Sequence, residues 1–179
     1  MSQQSVISEL HQMYLDASTE LFRSLGCDIE LVLEPSYEIR DVPVARIDAG
    51  SNDLELMLSL AVPLPVLSLS YPGSHILEVS DALLESWIPE LSNQLMGKLK
   101  NKLILRGHEL HMGLPVSLFG REMAEILPEG YEHATFYFRL DGELFETCIS
   151  IQLMDPNFAL STEIMVDDSH VDDGELELF

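Results

Sequence analysis

The sequence predicts an α+β sandwich in which two long helices pack on one mainly antiparallel sheet, with a pseudo-twofold internal repeat relating its halves. Three observations carry this expectation. Two long runs, one at the start and one at the middle, place apolar residues at helical spacing and stop at a glycine. Between and after them lie segments that alternate apolar and polar residues, as half-buried strands do. The last two of these are joined by Asp141 and Gly142, a two-residue hairpin signal.

Residues 3 to 25 read as the first helix, with Ile7, Leu10, Tyr14, Leu21 and Leu25 on one side and Gly26 as the stop. Strands are expected at Cys27 to Leu33, at Val44 to Asp48, and where Leu54, Leu56, Leu58 and Leu60 alternate with Glu55, Met57, Ser59 and Ala61. Pro63 and Pro65 interrupt, and Leu67, Leu69 and Tyr71 alternate again before Pro72 and Gly73. The central helix runs from about Asp81 to Leu105, its end marked by basic residues and by Gly107. Alternation returns at Leu110, Met112 and Leu114 until Pro115. After a turn-rich connection, Ala134, Phe136, Phe138 and Leu140 pair through Asp141-Gly142 with Phe145, Thr147, Ile149, Ile151 and Leu153.

Laying Gly26 over Gly107, an offset of 81, brings Ser5 to Ser86, Ile7 to Ile88, Glu9 to Glu90, Leu10 to Leu91 and Gln12 to Asn93. Matches of Leu and Ile between amphipathic helices are cheap, whereas the Ser, Glu and carboxamide matches are less so. Each helix leads through its glycine into an alternating strand, a unit used twice.

A chain of 179 residues with 46% hydrophobic composition suits one domain, expected over 1–160, with 161–179 as an acidic, partly disordered tail. The net charge of −22 repels polyphosphate, so nucleic acid is not expected as a partner. No apolar run has the length of a membrane span and no basic-then-apolar leader opens the chain, which favours a cytoplasmic protein without a membrane partner. Cys27 and Cys148 are far apart and in no C-x-x-C pattern, and read as buried free thiols. His108 and His111 lack the helical spacing of a metal pair, Gly113 and Gly120 are isolated with no G-K-[S/T] following, so no phosphate loop appears, and no G-x-S-x-G elbow offers a nucleophile.

The chemistry is concentrated on the central helix. Ser86, Glu90, Asn93 and Gly97, spaced by three or four residues, form one stripe. Leu84, Trp87, Ile88, Leu91, Leu95 and Leu99 form another that faces the core. An acid and a carboxamide one turn apart can act as a pair, since Glu90 can meet a partner's cation while Asn93 both donates and accepts and so can hold a water. Gly97 is costly inside a helix, and its missing side chain allows another surface to approach. By spacing alone, E-x-x-N is short enough to arise on any solvated helix.

The run Ser86 to Lys102, SWIPELSNQLMGKLKNK, followed by a strand reaching Pro115, resembles the CheC, CheX and FliY group of chemotaxis phosphatases, CheX most of all. Their signature is Asp or Ser, three residues, Glu, two residues, Asn, and a proline about two dozen residues on, matched here by Ser86, Glu90, Asn93 and Pro115. The resemblance implies a CheX-like domain that removes phosphate from the phospho-aspartate of a CheY-like response regulator. In it Asn93 orients the attacking water, Glu90 contacts the regulator's lysine, and Ser86, Gly97 and Pro115 support the site or touch the partner. It also implies a homodimer and no cofactor of its own, Mg²⁺ belonging to the partner receiver domain.

Two features depart from the pattern. Pro89 lies between Ser86 and Glu90, so either a fresh helix starts with Ser86 as its cap or a longer helix kinks at the site. In the first helix, Ser5, Glu9 and Gln12 form a degenerate second site, with one methylene too many at Gln12, or a structural remnant. Two other readings stand beside the phosphatase. One is a non-catalytic binding module of the same fold; the other is an acidic secretion chaperone, which gives no reason for the Ser86, Glu90 and Asn93 stripe.

Overall fold

The computed structural model describes residues 3–74, 79–118 and 120–162. Beyond Thr162 the expected acidic tail lies outside the described residues. In chain order the elements are α1 (Gln3–Ser24), β1 (Glu30–Val32), β2 (Val44–Gly50), β3 (Leu54–Ala61), α2 (Leu64–Ser70), α3 (Asp81–Ile104), β4 (His111–Met112), β5 (Val116–Leu118), α4 (Met123–Ile126), β6 (Glu132–Leu140) and β7 (Glu143–Leu153).

The seven strands form one sheet in the order β1-β6-β7-β3-β2-β4, with β5 also on β2, and every pair is antiparallel. On β3, Leu54, Leu56, Leu58 and Leu60 stand opposite Leu153, Ile151, Ile149 and Thr147 of β7, and all four leucines are buried. They share one core with α1 and α3, filled by Tyr14, Phe22, Leu91, Leu95, Phe138 and Phe145. Each such leucine contributes about 1.5 to 3 kcal/mol by leaving water. A smaller cluster of Val44, Ala61, Met123, Ile126 and Cys148 occupies the opposite face, beneath α4. Cys27 and Cys148 are buried free thiols.

The two long helices end alike. Gly26 has φ +79° and donates to the Arg23 carbonyl, while the Cys27 amide reaches Phe22; Gly107 has φ +83° and donates to Ile104, while His108 reaches Leu103. These are paired left-handed caps, and they turn each chain off its helix toward an edge strand. Exchanging β1 with β4, β6 with β2 and β7 with β3 reverses the strand order and leaves it otherwise unchanged. That symmetry concerns strand order; the residue matches at offset 81 are a separate observation.

The hairpin forms as the sequence predicts, with Asp141 and Gly142 at φ 50° and 87° joining Leu140 to Glu143. Other elements differ. The alternation of Leu67, Leu69 and Tyr71 is not a strand: Leu64–Ser70 is helix α2, with Pro65 in its first turn, where no amide bond is lost, and Val66, Leu67 and Ser70 buried. The strand expected over Cys27 to Leu33 is only Glu30–Val32, paired with β6. The one expected over Leu110 to Leu114 is the two residues of β4, and Leu114 is 84% exposed. Helix α4 is absent from the sequence-based expectation; its single turn closes with reciprocal bonds between Glu122 and Glu125.

Candidate functional site

Helix α3 carries the predicted stripe, and its start decides how the stripe is presented. Its cap is Ser80, in extended backbone geometry, whose side chain accepts from the Leu83 amide. Ser86 is therefore not the cap, contrary to one of the two sequence-based alternatives, because the helix is already formed when the chain reaches it. The helix continues through Pro89. Proline lacks the amide that would bond the carbonyl of Glu85, and Glu85 is exposed, so water can serve that carbonyl. Around the proline, Ser86 Oγ donates to the Leu83 carbonyl at 2.8 Å and Ser92 Oγ to the Pro89 carbonyl at 2.7 Å. Both short side chains bond backward to the helix and project little beyond it.

Leu84, Trp87, Ile88, Leu91, Leu95 and Leu99 are buried as predicted, which fixes the rotation of α3 on the sheet. Ser86 and Glu90 are exposed, and Asn93 and Gly97 are half-buried along the same stripe. Glu90 Oε1 accepts from Gln94 Nε2 at 3.0 Å, one turn on, an i, i+4 pair that the sequence pattern did not reveal. Among the described residues the Asn93 carboxamide has no hydrogen-bond partner, so both its donor and its acceptor are available. Pro115 is half-buried in the link between β4 and β5, and β5 lies against α3.

The corresponding positions on α1 are used differently. Glu9 Oε1 lies 2.6 Å from a guanidinium nitrogen of Arg106, at the far end of α3, and Arg106 also donates to the Ser161 carbonyl at 2.7 Å. Gln12 Nε2 donates to Asp16 Oδ1 at 2.9 Å, and Ser5 is exposed. The Glu9 carboxylate thus ties α1 to α3, while that of Glu90 meets, among the described residues, an uncharged amide. With both partners of the Glu9–Arg106 pair about three-quarters covered, Glu9→Gln is expected to cost about 1 kcal/mol of stability. Glu90→Gln is expected to leave stability unchanged; thermal unfolding of the two variants compares them, and equal losses would contradict this division.

His108 is taken up by structure, its ring 4.4 Å from that of Phe158 and its Nε2 2.9 Å from the Ala159 carbonyl. A cleft of about 420 Å³ opens on the opposite face of the sheet, between residues 35–40 and α4, where burial and the nearby Glu122 carboxylate raise the pKa of Glu146. No helix among the described residues is long and apolar enough to cross a membrane.

With two long helices on one face of an antiparallel sheet, the chain has a fold of the CheC and CheX class. Among solved structures the chain is similar to the chemotaxis protein CheX from Vibrio vulnificus, with a TM-score of 0.68, 13% identity, and 80% of this chain and 97% of that one covered. It is also similar to CheX in the CheX–CheY–BeF3–Mg complex from Borrelia burgdorferi, with a TM-score of 0.63, 17% identity, and coverage of 79% and 96%. A CheC-like superfamily protein from Shewanella sp. PV-4 matches with a TM-score of 0.60, 14% identity, and coverage of 80% and 97%. No protein-family model and no curated protein matches the chain.

Proposed function

We propose that the protein is a phosphatase for the phospho-aspartate of a CheY-like receiver domain in chemotaxis or two-component signalling. The observation that carries this reading is the Asn93 carboxamide beside Glu90, without a hydrogen-bond partner among the described residues, on the exposed flank of a helix whose opposite side is fixed in the core. Asn93 accepts a hydrogen bond from a water and holds it in line with phosphorus. The water oxygen bonds to phosphorus as the bond to the aspartate oxygen breaks, leaving a carboxylate and inorganic phosphate. Glu90 exchanges its Gln94 bond for the receiver's lysine and fixes the register of docking. Mg²⁺ would belong to the receiver's own acidic site, where it would supply charge stabilisation, and no residue of this chain is needed to hold it. Positioning of this kind is most of what phosphoryl transfer asks of a protein. The fold likeness to a CheX solved in complex with CheY supports this class of partner. The protein acts in this reading as a homodimer joined through the sheet edges at β1 and at β4 and β5.

The test mixes the protein with receiver domains charged by acetyl phosphate and follows phosphate release. Release at least tenfold faster than the receiver's own is expected. Binding of the charged receiver without acceleration would replace the phosphatase by a non-catalytic module of the same fold.

A further inference from the structure

The cations on α3 and just after its end are not equivalent. Lys102 Nζ lies 2.6 Å from Glu20 Oε1, and Arg106 lies 2.6 Å from Glu9, so both bind α3 to α1. Lys98 and Lys100 have no ion-pair partner among the described residues. At 3.6 residues per turn, Lys100 stands about 20° around the helix from Asn93 and about 10 Å along it; Lys98 is turned away by about 140°. Lys100 therefore extends the Ser86, Glu90, Asn93 and Gly97 stripe, and Lys98 does not. Gly97 lies between Asn93 and Lys100, and among the described residues no atom outside its own helix backbone and chain neighbours comes within 4 Å of where its Cβ would be. Among the described residues nothing packs where a side chain would stand, so no packing contact there requires glycine.

We propose that Lys100 is the docking cation of the site, pairing with a carboxylate on the surface of the phosphorylated receiver while Gly97 admits the partner's backbone between Lys100 and Asn93. This rests on the phosphatase reading of Asn93 and specifies how the partner is held. A chain of net charge −22 repels an acidic partner at long range, so productive docking needs a local attraction on the contact face. Lys100 is the cation that stands on that face. Its separation of about 10 Å from Asn93 places it past the phosphoryl group, so it acts on binding and not on the chemical step.

Lys100→Glu and Lys98→Glu change the net charge equally and differ only in where the change falls. Steady-state dephosphorylation of a charged receiver is expected to show KM raised about tenfold by Lys100→Glu, with kcat within about twofold of wild type. Lys98→Glu is expected to change KM by less than about twofold. Gly97→Leu is expected to raise KM without lowering the unfolding temperature, whereas Gly97→Ala raises that temperature. Equal KM changes in the two lysine variants, or none in Lys100→Glu, would overturn the proposal, as would a loss confined to kcat. The wild type keeps the two ideas separate. If it binds the beryllofluoride-charged receiver without turnover, the catalytic reading fails alone and Kd takes the place of KM in the comparison. If it binds no charged receiver, both fail.

Discussion

Asn93→Ala is expected to slow dephosphorylation of a charged receiver by about a hundredfold or more while leaving the unfolding temperature unchanged. The size follows from what is removed. In the proposed mechanism a water held in line with phosphorus is replaced by one that must find that geometry by chance, and misplacement by about 1 Å already costs about a hundredfold. Stability is spared because the carboxamide is half-buried and bonds nothing among the described residues. Asn93→Gln sharpens the test. The extra methylene keeps the amide chemistry and moves it outward, so turnover should fall nearly as far as in the alanine variant. Wild-type rates in both variants would sink the assignment of Asn93 as the water-holding group. The same comparison bears on the first helix, where Gln12 has the longer side chain and already spends its amide on Asp16.

The second large effect concerns the support of the site. Trp87 is 6% exposed, donates from Nε1 to Ser70 Oγ at 3.1 Å, and meets the Tyr71 ring edge-on at 5.7 Å. It pins α3 to α2 one residue after Ser86 and three before Glu90. Trp87→Ala opens a cavity and leaves the buried Ser70 hydroxyl without its donor, so a loss of about 3 to 5 kcal/mol is expected. In a chain of this size that lowers the unfolding temperature by about 10 °C. Trp87→Phe keeps most of the volume and loses the bond, and should cost about half as much. Urea titration measures both; a loss below about 1 kcal/mol in the alanine variant would show that α2 is not held through Trp87.

The elements legible in the sequence are those whose pattern and boundaries agree. Both long helices carry a sustained apolar stripe and a glycine stop, and the last hairpin carries alternation on both sides of Asp141-Gly142, so each is found close to its predicted limits. What escaped were segments settled by tertiary contact. The stretch from Leu64 to Ser70 alternates like a strand, yet Pro65 suits a first helical turn and the Trp87 indole draws Ser70 inward. At Leu114 alternation predicts burial, and the link between β4 and β5 instead carries that side chain into water. Within the site, the stripe was visible because it depends only on helical spacing. Its cap was not, since Ser80 and Ser86 are both serines ahead of apolar residues. The division of the carboxylates was hidden for another reason: Glu9 meets Arg106 across the interface between α1 and α3, a contact with no local signature.

The exchange symmetry of the strand order has a consequence for how the molecule assembles. Strand β1, from the first half of the chain, is zipped to β6 of the second, and β4 and β5 of the second half close over β2 of the first. Each half lends its outer strand to the other, so neither can complete its hydrogen bonding alone. Register pairs such as Glu30 with Arg139 must form across more than half the chain, which predicts slow, all-or-none acquisition of structure, with no stable half-molecule along the way.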